Sequence, residues 1–456
     1  MSLIRILANH AMETTFDKLP PAVVEKAKQS ILDNMGNMLA GRYSEKGKSF
    51  LQYAERWKNH REATILGYGK VAVEAAAFVN AGLSRIMDLD DGHRAGMGHP
   101  AVIIMPSVLA LGEVLGASGE ELIAAIVVAY DVYIEIGSAI NPSSYTEKGF
   151  DTTGIAGVVA VAAAAAKLNK LDAEATKNAM AIAALHAGGF IEYLTDGSAG
   201  KLLCPGWATA TGFRAVEVVK CGFTGPDTVL EGKKGLFQGF SNKYDVTNFG
   251  AGLEKNYHIM TTYFKIHACL RRLHQAVDAL LALRAKHSLG PSTVNSITVN
   301  AGPFVCEANK IRPQTLVSGQ GSLPFTLAVA LKHGFISKET LEASMGDEKI
   351  KQIEDKVTIV LSQKVLDHQA ANPSAWGAVE MVIETTDGKM VTEWMPLAFG
   401  EPEMPLSWEH LQEKFCHLLA PTKAAKKTDA IIGAIKRFEE FKTTGEFMIV
   451  VDPDRE

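Results

Sequence analysis

A short segment at positions 87–100, MDLDDGHRAGMGHP, collects five side chains that can move protons or bind a metal ion: Asp88, Asp90, Asp91, His93 and His99. An imidazole titrates near neutral pH, and an adjacent carboxylate fixes its tautomer and adjusts its basicity, so general acid–base chemistry suits this group. A metal site, or a helix end with solvated acids, uses the same residue types. Because the sequence has no HExxH, HxH or EF-hand pattern, it favours proton transfer and predicts no metal ligand.

A lysine in a glycine-rich turn is the second candidate. The stretch YLTDGSAGKLL, 193–203, departs from a phosphate loop because Thr195 stands where the first Gly is needed and Leu202 where Ser or Thr holds magnesium. The sequence therefore disfavours a nucleotide site. Lys201 is left either to present an ammonium group to an anion or to lie on the surface.

Two further segments carry candidate groups. The stretch YFKIHACLRRLHQAVDA, 263–279, is locally cationic through Lys265, His267 and two arginines, and it lies at the predicted junction of two domains, a common place for a small-molecule site. An ordinary basic helix face explains the arginines equally well. In EKGFDTTG, 147–154, Asp151 is either a helix N-cap or a site residue.

The elements that position the opening cluster are a helix and a loop. A helix from about Val73 to Asp91 would place Asp88 and Asp91 on adjacent turns and point Asp90 elsewhere. Three glycines then make a flexible loop, and Pro100 favours an extended backbone at His99. We therefore expect His99 at the mouth of the next helix.

The spacing of apolar residues changes along the chain. From about Pro21 to Lys265 it is helical, with a capping box at Ser118–Glu121 and an N-cap at Asp172. Later stretches alternate and are rich in β-branched residues: 295–302, 356–363 and 378–394, the last with a turn at Asp387-Gly388. Helices are expected at 320–333, at 338–346 and again from Ser407. The predicted fold is mainly α: an all-helical domain of residues 1–264 and 400–456, and an α+β lid domain of residues 265–399.

Composition excludes several classes of protein. The 456 residues are 47% hydrophobic with a net charge of −5 and well-mixed charges, so no basic surface for nucleic acid is predicted. The apolar runs PAVIIMPSVLALG and GIAGVVAVAAAAA are shorter than the roughly 18 residues of a membrane span. The five cysteines form no CxxC pair, and the N-terminal residues lack a signal-peptide pattern, so we expect a cytoplasmic protein without membrane partners.

These segments, in this order, resemble the MmgE/PrpD family, whose members include 2-methylcitrate dehydratases, cis-aconitate decarboxylases and an iminodisuccinate epimerase. The resemblance covers nearly the whole chain. Besides the segments above, it rests on LDNMGNMLAG (32–41), GPDTVLEGKKGLF (225–237) and GSLPFTLAVAL (321–331).

The resemblance implies a helical domain with an α+β lid, a homodimer, and proton transfer without a cofactor at a carbon next to a carboxylate. The catalytic Asp and His of the family fall on Asp88 and His99, and its two lysines fall on Lys201 and Lys265. His99 would be the acid–base group, oriented by Asp88, while the lysines would hold the carboxylates of a small anionic substrate. The further substrate-binding candidates are His93, Asp151 and His267.

The chain departs from the family pattern at four positions. Gly92 stands where many relatives have Thr, and Asp151 where they have His. Phe325 replaces a frequent Tyr, and Leu270 replaces a second His, for which His267 is the expected substitute. A carboxylate in place of a cationic side chain repels an anionic substrate, which makes a tricarboxylate less expected.

The expected function is that of a 2-methylcitrate dehydratase-like lyase acting on a small di- or tricarboxylic acid. Loss of carbon dioxide, as in a cis-aconitate decarboxylase, and reprotonation on the opposite face, as in an epimerase, use the same chemistry and stay open. A catalytically silent ligand-binding homologue is the alternative from another class.

Overall fold

The structure is a computed structural model that describes residues 1–454, apart from the side chain of Pro373. Twelve helices precede residue 264: α1 (Leu3–Glu13), α2 (Pro21–Arg42), α3 (Glu45–Ala54), α4 (Val73–Arg85), α5 (Ala101–Leu115), α6 (Gly119–Ile140), α7 (Ser143–Thr146), α8 (Thr152–Leu168), α9 (Ala173–Leu185), α10 (Tyr193–Asp196), α11 (Cys204–Lys220) and α12 (Leu236–Phe240). The helical pattern of this part is confirmed. Its predicted caps are confirmed as well: Ser118 and Glu121 form the capping box of α6, and Asp172 caps α9.

Two features of this part differ from the expectation. A short hairpin, β1 (Ala63–Ile65) with β2 (Gly69–Val71), interrupts the helices at the turn around Gly67. The helix expected to reach Asp91 ends at Arg85, so the prediction of adjacent helical turns for Asp88 and Asp91 was wrong. Asp88 has φ of +54°, a left-handed conformation that a right-handed helix cannot continue through. The acidic segment is therefore a loop.

The core of the helical part is formed by apolar helices in close contact. Helix α8 is buried along nearly its whole length, and its alanines let the neighbouring helices α6 and α11 approach closely. Helix α6 is long and apolar enough to span a membrane by length and composition, but 89% of its most apolar stretch is buried inside the protein. Within the described residues it is a central core helix.

The α+β part follows as predicted. It contains α13 (His274–His287), β3 (Val294–Ala301), α14 (Pro303–Cys306), α15 (Leu316–Gln320), α16 (Leu323–His333), α17 (Lys338–Ser344), α18 (Glu348–Glu354), β4 (Val357–Leu361), α19 (Gln363–Ala371), β5 (Val379–Thr385) and β6 (Met390–Met395). The sheet order is β4-β3-β5-β6, with β3 parallel to β4 and antiparallel to β5. Helices α13 and α16 pack with this mixed sheet in a second hydrophobic core.

The chain then returns to the helical layer through α20 (Trp408–Leu419), α21 (Thr428–Lys436) and α22 (Thr444–Val451). Leu411, Phe415 and Leu419 of α20 belong to the same core as α2. A Cβ at Gly36 of α2 would lie 2.9 Å from the Phe415 ring, so the two helices approach closely there. This arrangement agrees with a mainly α protein that carries a smaller α+β part. The exact domain boundaries stay a prediction.

Candidate active site

The acidic segment after α4 turns inward. Asp88, Asp90 and Asp91 are all fully buried, which excludes the alternative that they solvate a helix end. Two backbone hydrogen bonds join Gly92 to Tyr263, and the backbone N–H of His93 donates to the carbonyl of Gly98 at 3.1 Å. The loop is thus anchored both to itself and to the chain that leads into the α+β part.

Asp88 binds the two lysines that the sequence analysis had grouped with it. The Lys201 ammonium donates to Asp88 Oδ1 at 2.9 Å, and Lys265 donates to the same oxygen and to the Asp88 carbonyl, each at 3.1 Å. Burial alone would raise the pKa of Asp88, but the two ammonium groups lower it to about 2. Asp88 is therefore ionised at neutral pH and holds both lysines in place.

His99 is oriented by Asp90, whereas the sequence analysis expected Asp88. Its Nδ1 lies 2.9 Å from Asp90 Oδ2 and 2.6 Å from the carbonyl oxygen of Asp91. Both are acceptors, so Nδ1 carries the proton, and Nε2 of the neutral ring keeps its lone pair. Arg85 also pairs with Asp90. Burial first, and then the Arg85 charge, lower the pKa of His99, so the ring is neutral at pH 7.

The Asp91 carboxyl group accepts two hydrogen bonds from the helices around it. The backbone N–H of Ala101 donates to its Oδ1 at 2.9 Å and the Tyr130 hydroxyl to its Oδ2 at 2.7 Å. Burial raises the pKa of Asp91 to about 7. Its carboxyl group fixes the start of α5, directly after His99.

His93 closes the glycine loop. Its Nδ1 accepts from the backbone N–H of Gly96 at 2.9 Å, so Nε2 carries the proton and lies 3.0 Å from Thr261 Oγ1. Burial, with the charges of His258 and Arg94, lowers the pKa of His93 to about 3. The ring lines the cavity described below, but both of its nitrogens already have partners.

A cavity of about 570 Å³ lies between the helical part and the α+β part. His99 and five basic side chains line it: Arg85, Arg94, Lys201, Arg271 and Arg272. Other polar side chains of its wall include Tyr145, Tyr193, Tyr263 and Asp151. His99 Nε2 has no hydrogen-bond partner within residues 1–454, which leaves it available to a bound molecule, and the Trp376 indole Nε1 of the same wall likewise has none there.

The predicted site residues divide into two groups. His93, His99, Asp151 and Lys201 lie on the cavity wall, and Asp88 lies directly behind Lys201. Lys265 and His267 are not among the described residues of that wall: Lys265 is fully buried against Asp88, and the Nε2–H of His267 donates to Asp278 Oδ1 at 2.8 Å. Their proposed contacts with substrate stay a prediction.

Four arginines and three tyrosines of the described wall were not predicted as site residues: Arg85, Arg94, Arg271, Arg272, Tyr145, Tyr193 and Tyr263. Arg94 stands inside the opening segment itself, and Arg85 only three residues before Asp88. Arg271 and Arg272 had been weighed against a plain basic helix face, and Tyr193 begins the stretch that contains Lys201. Proximity in sequence to the chosen residues was the available signal for Arg85, Arg94 and Tyr193.

Comparison with known proteins was made with the whole chain. Residues 5–248 match the MmgE/PrpD N-terminal domain, and residues 267–440 match the MmgE/PrpD C-terminal domain. The chain is 26% identical over 435 residues to the cis-aconitate decarboxylase of Aspergillus terreus, covering 90% of this chain and 87% of the relative.

Two further relatives are similar over comparable lengths. The cis-aconitate decarboxylase of Mus musculus is 24% identical over 442 residues, which is 93% of this chain and 88% of the relative. The cis-aconitate decarboxylase-like protein oryM of Aspergillus oryzae is 23% identical over 470 residues, which is 98% of this chain and 96% of the relative. Decarboxylases are lyases, so these similarities support an enzyme rather than a silent binding protein. Because the two family domains together cover most of its length, the chain belongs to the MmgE/PrpD family.

Proposed function

We propose that the protein is a lyase that needs no cofactor and acts on a small di- or tricarboxylic acid by proton transfer at the carbon next to a carboxylate. The observation that carries the proposal is His99: its Nδ1–H is fixed by Asp90 and the Asp91 carbonyl, and its Nε2 faces a cavity lined by cationic side chains. A neutral, oriented imidazole is the form that a general base requires.

Proton removal next to a carboxylate places negative charge on that carboxylate. Lys201 is held by Asp88 at 2.9 Å, and Arg85 is held by Asp90, so both cations are fixed before the substrate binds. Preorganised charges of this kind stabilise a developing enediolate more than mobile ones do. Asp90 in turn stabilises the imidazolium that forms when His99 accepts the proton.

Decarboxylation is the first candidate reaction, and the names of the relatives support it. In this case the C–C bond between the substrate chain and one carboxylate breaks, and carbon dioxide leaves. The electron pair of the broken bond stays on the substrate and moves into its double-bond system. A carbon atom then receives one proton from protonated His99. A bound polyanion would raise the proton affinity of the ring enough for this direction of transfer.

Dehydration, as in the 2-methylcitrate dehydratases, is the second candidate. His99 would take a proton from carbon, a new C=C bond would form and the C–O bond of a hydroxyl group would break. The leaving oxygen would receive the proton held by the His99 imidazolium and depart as water. Two observations favour it: the low pKa of His99 keeps the ring a base, and Asp151 offers an acceptor to a hydroxyl group in the same cavity.

Incubation in deuterated water, followed by NMR, tests the proposal with citrate, 2-methylcitrate, cis-aconitate, and smaller hydroxy and amino dicarboxylates. Loss of water, loss of carbon dioxide, and exchange with inversion each identify one reaction of the family. Turnover or exchange of at least one acid is expected. Tight binding of one acid with no exchange in any would support the silent binding protein instead.

The family also supports a homodimer, which we propose for this protein in the cytoplasm, with no nucleic acid or membrane partner. Light scattering of the purified chain should give twice the mass of 49.1 kDa. A monomer mass at micromolar concentration would contradict this assembly.

A further inference from the structure

The positive charges of the cavity wall are already matched by carboxylates of the protein. Each of the five cations lies against at least one acid: Arg85 with Asp90, Lys201 with Asp88, Arg94 with Glu403 and Glu401, Arg271 with Glu401 and Arg272 with Glu307. The wall therefore offers oriented N–H donors without a large surplus of positive charge. Each further carboxylate of a substrate therefore gains less from such a wall than it would from unpaired cations.

Asp151 adds a further negative charge, and it is the only carboxylate that lines the cavity among the described residues. The Tyr193 hydroxyl donates to its Oδ2 at 2.7 Å, and the backbone N–H of Thr153 donates to its Oδ1 at 2.9 Å. The Thr153 hydroxyl and the Cys204 thiol are further side-chain partners of this carboxylate. A thiol is a weak donor, so a substrate hydroxyl or ammonium group can take its place at one of the roughly four lone-pair positions of the carboxylate. Asp151 is only 4% exposed, so its direction is fixed by its surroundings.

Asp151 is ionised at neutral pH. Burial alone would raise its pKa, but the Arg85 charge and the hydrogen bonds from Tyr193 and Thr153 lower it below the usual range. A third substrate carboxylate placed beside Asp151 would meet a like charge in a poorly solvated cavity, where repulsion is strong. A hydroxyl or ammonium group at the same place would instead find an acceptor.

We propose that Asp151, held by Tyr193, selects substrates that carry a hydroxyl or ammonium group, and disfavours those that place a carboxylate there. This inference rests on the proposed function, because it concerns the same cavity. It narrows the substrate class to hydroxy or amino di- and tricarboxylates in which the donor group faces Asp151.

Asp151 is also the N-cap of α8, and this second role decides which variant is informative. Capping uses the acceptor oxygen of the side chain, and Asn caps a helix about as well as Asp does. The substitution Asp151→Asn therefore keeps the cap and the shape of the side chain while removing the charge. Asp172→Asn, at the exposed N-cap of α9, is the matched control.

Ligand pairs that differ only in a hydroxyl group supply the test. Malate is compared with succinate, and citrate with tricarballylate, by calorimetric titration in the His99→Gln background so that the ligand is not consumed. With Asp151 present, we expect the hydroxylated member of at least one pair to bind about tenfold tighter, as expected for a hydrogen bond to a charged group. Asp151→Asn should remove most of that preference and strengthen the binding of tricarballylate.

Tyr193→Phe provides a second variant that leaves the carboxylate in place. It should reduce the preference less than Asp151→Asn does, because Asp151 loses its orientation but keeps its charge. Asp172→Asn should leave the preference unchanged.

Equal binding within both pairs, a preference that survives Asp151→Asn, or no binding of any of the four acids would overturn the proposal. Failure of the proposed function would give a different result. Continued heat from turnover in the His99→Gln background would show that His99 is not the base, whatever the binding preference.

Discussion

The chemistry of single side chains depends here on one imidazole whose two nitrogens have different tasks. Nδ1 of His99 is committed to Asp90 and to the Asp91 carbonyl, and Nε2 faces the cavity. The same cluster separates its three buried carboxylates by environment. Asp88 and Asp90 lie beside cations and have lowered pKa values, whereas Asp91 lies between neutral donors and has a raised pKa. Identical residue types thus have different protonation states a few residues apart.

The lowered pKa of His99 predicts a pH dependence of kcat/KM. Where the reaction begins with proton removal from carbon, as in the dehydration, the neutral ring is the active form. Activity is then retained as the pH rises and is lost as the pH falls through the pKa of His99, which lies below the usual value of 6.5. A pH–rate profile of the free enzyme should therefore show an acid limb with its midpoint below 6.5. Activity that instead increases toward acid pH would mean that protonated His99 acts first.

Asp91 predicts a pH dependence of stability. Its pKa is raised from 3.8 to about 7 in the folded protein, so its favourable contribution is complete below pH 3.8 and is lost as the pH rises through about 7. The free energy of unfolding, relative to that of Asp91→Asn, should fall by roughly 1.4 kcal/mol per pH unit across this window. Urea denaturation at several pH values measures it, with Asp172→Asn as the control. Parallel curves for wild type and Asp91→Asn would contradict the assignment.

Among the elements, loops rather than helices hold the reactive groups. Apolar spacing predicted the long helices and the hairpin of β5 and β6, because burial on one face repeats with the period of the element. It could not predict that α4 ends at Arg85. The inward turn at Asp88 depends on Lys201 and Lys265, which lie 113 and 177 residues further along the chain. Pairing between residues so far apart leaves no pattern in the local sequence around Asp88.

Gly92 illustrates how a loop position is fixed by its neighbour. A Cβ at this position would overlap the ring of Tyr263, which lines the cavity. Gly92→Thr should therefore destabilise the protein by about 1–3 kcal/mol, the usual cost of overpacking. Combination with Tyr263→Ala should recover part of this loss, measured as a coupling energy in a double-mutant cycle. Gly290→Thr is the control because an added Cβ there contacts nothing within 4 Å, and additive effects of the first pair would contradict the overlap.

For the molecule as a whole, function arises where the helical part meets the α+β part. The helical part contributes His99, Lys201 and Asp151 to the cavity, and the segment at the junction contributes Arg271 and Arg272. His99, Lys201 and Asp151, which were grouped by the family resemblance, all line that cavity, and their roles stay a prediction. The resemblance could not show that Lys265 lies behind Asp88, since the depth of a buried side chain depends on packing between distant segments.

The central claim is tested most directly by comparing two histidines that each pair with a carboxylate. His99 pairs with Asp90 and lines the cavity, whereas His10 pairs with Asp131 and is not among the described residues of the cavity wall. The turnover rate of the acid that the wild type consumes should fall by about 100-fold or more in His99→Gln, as expected when a general base is lost, and should be largely retained in His10→Gln. Turnover by His99→Gln at the wild-type rate would contradict the account.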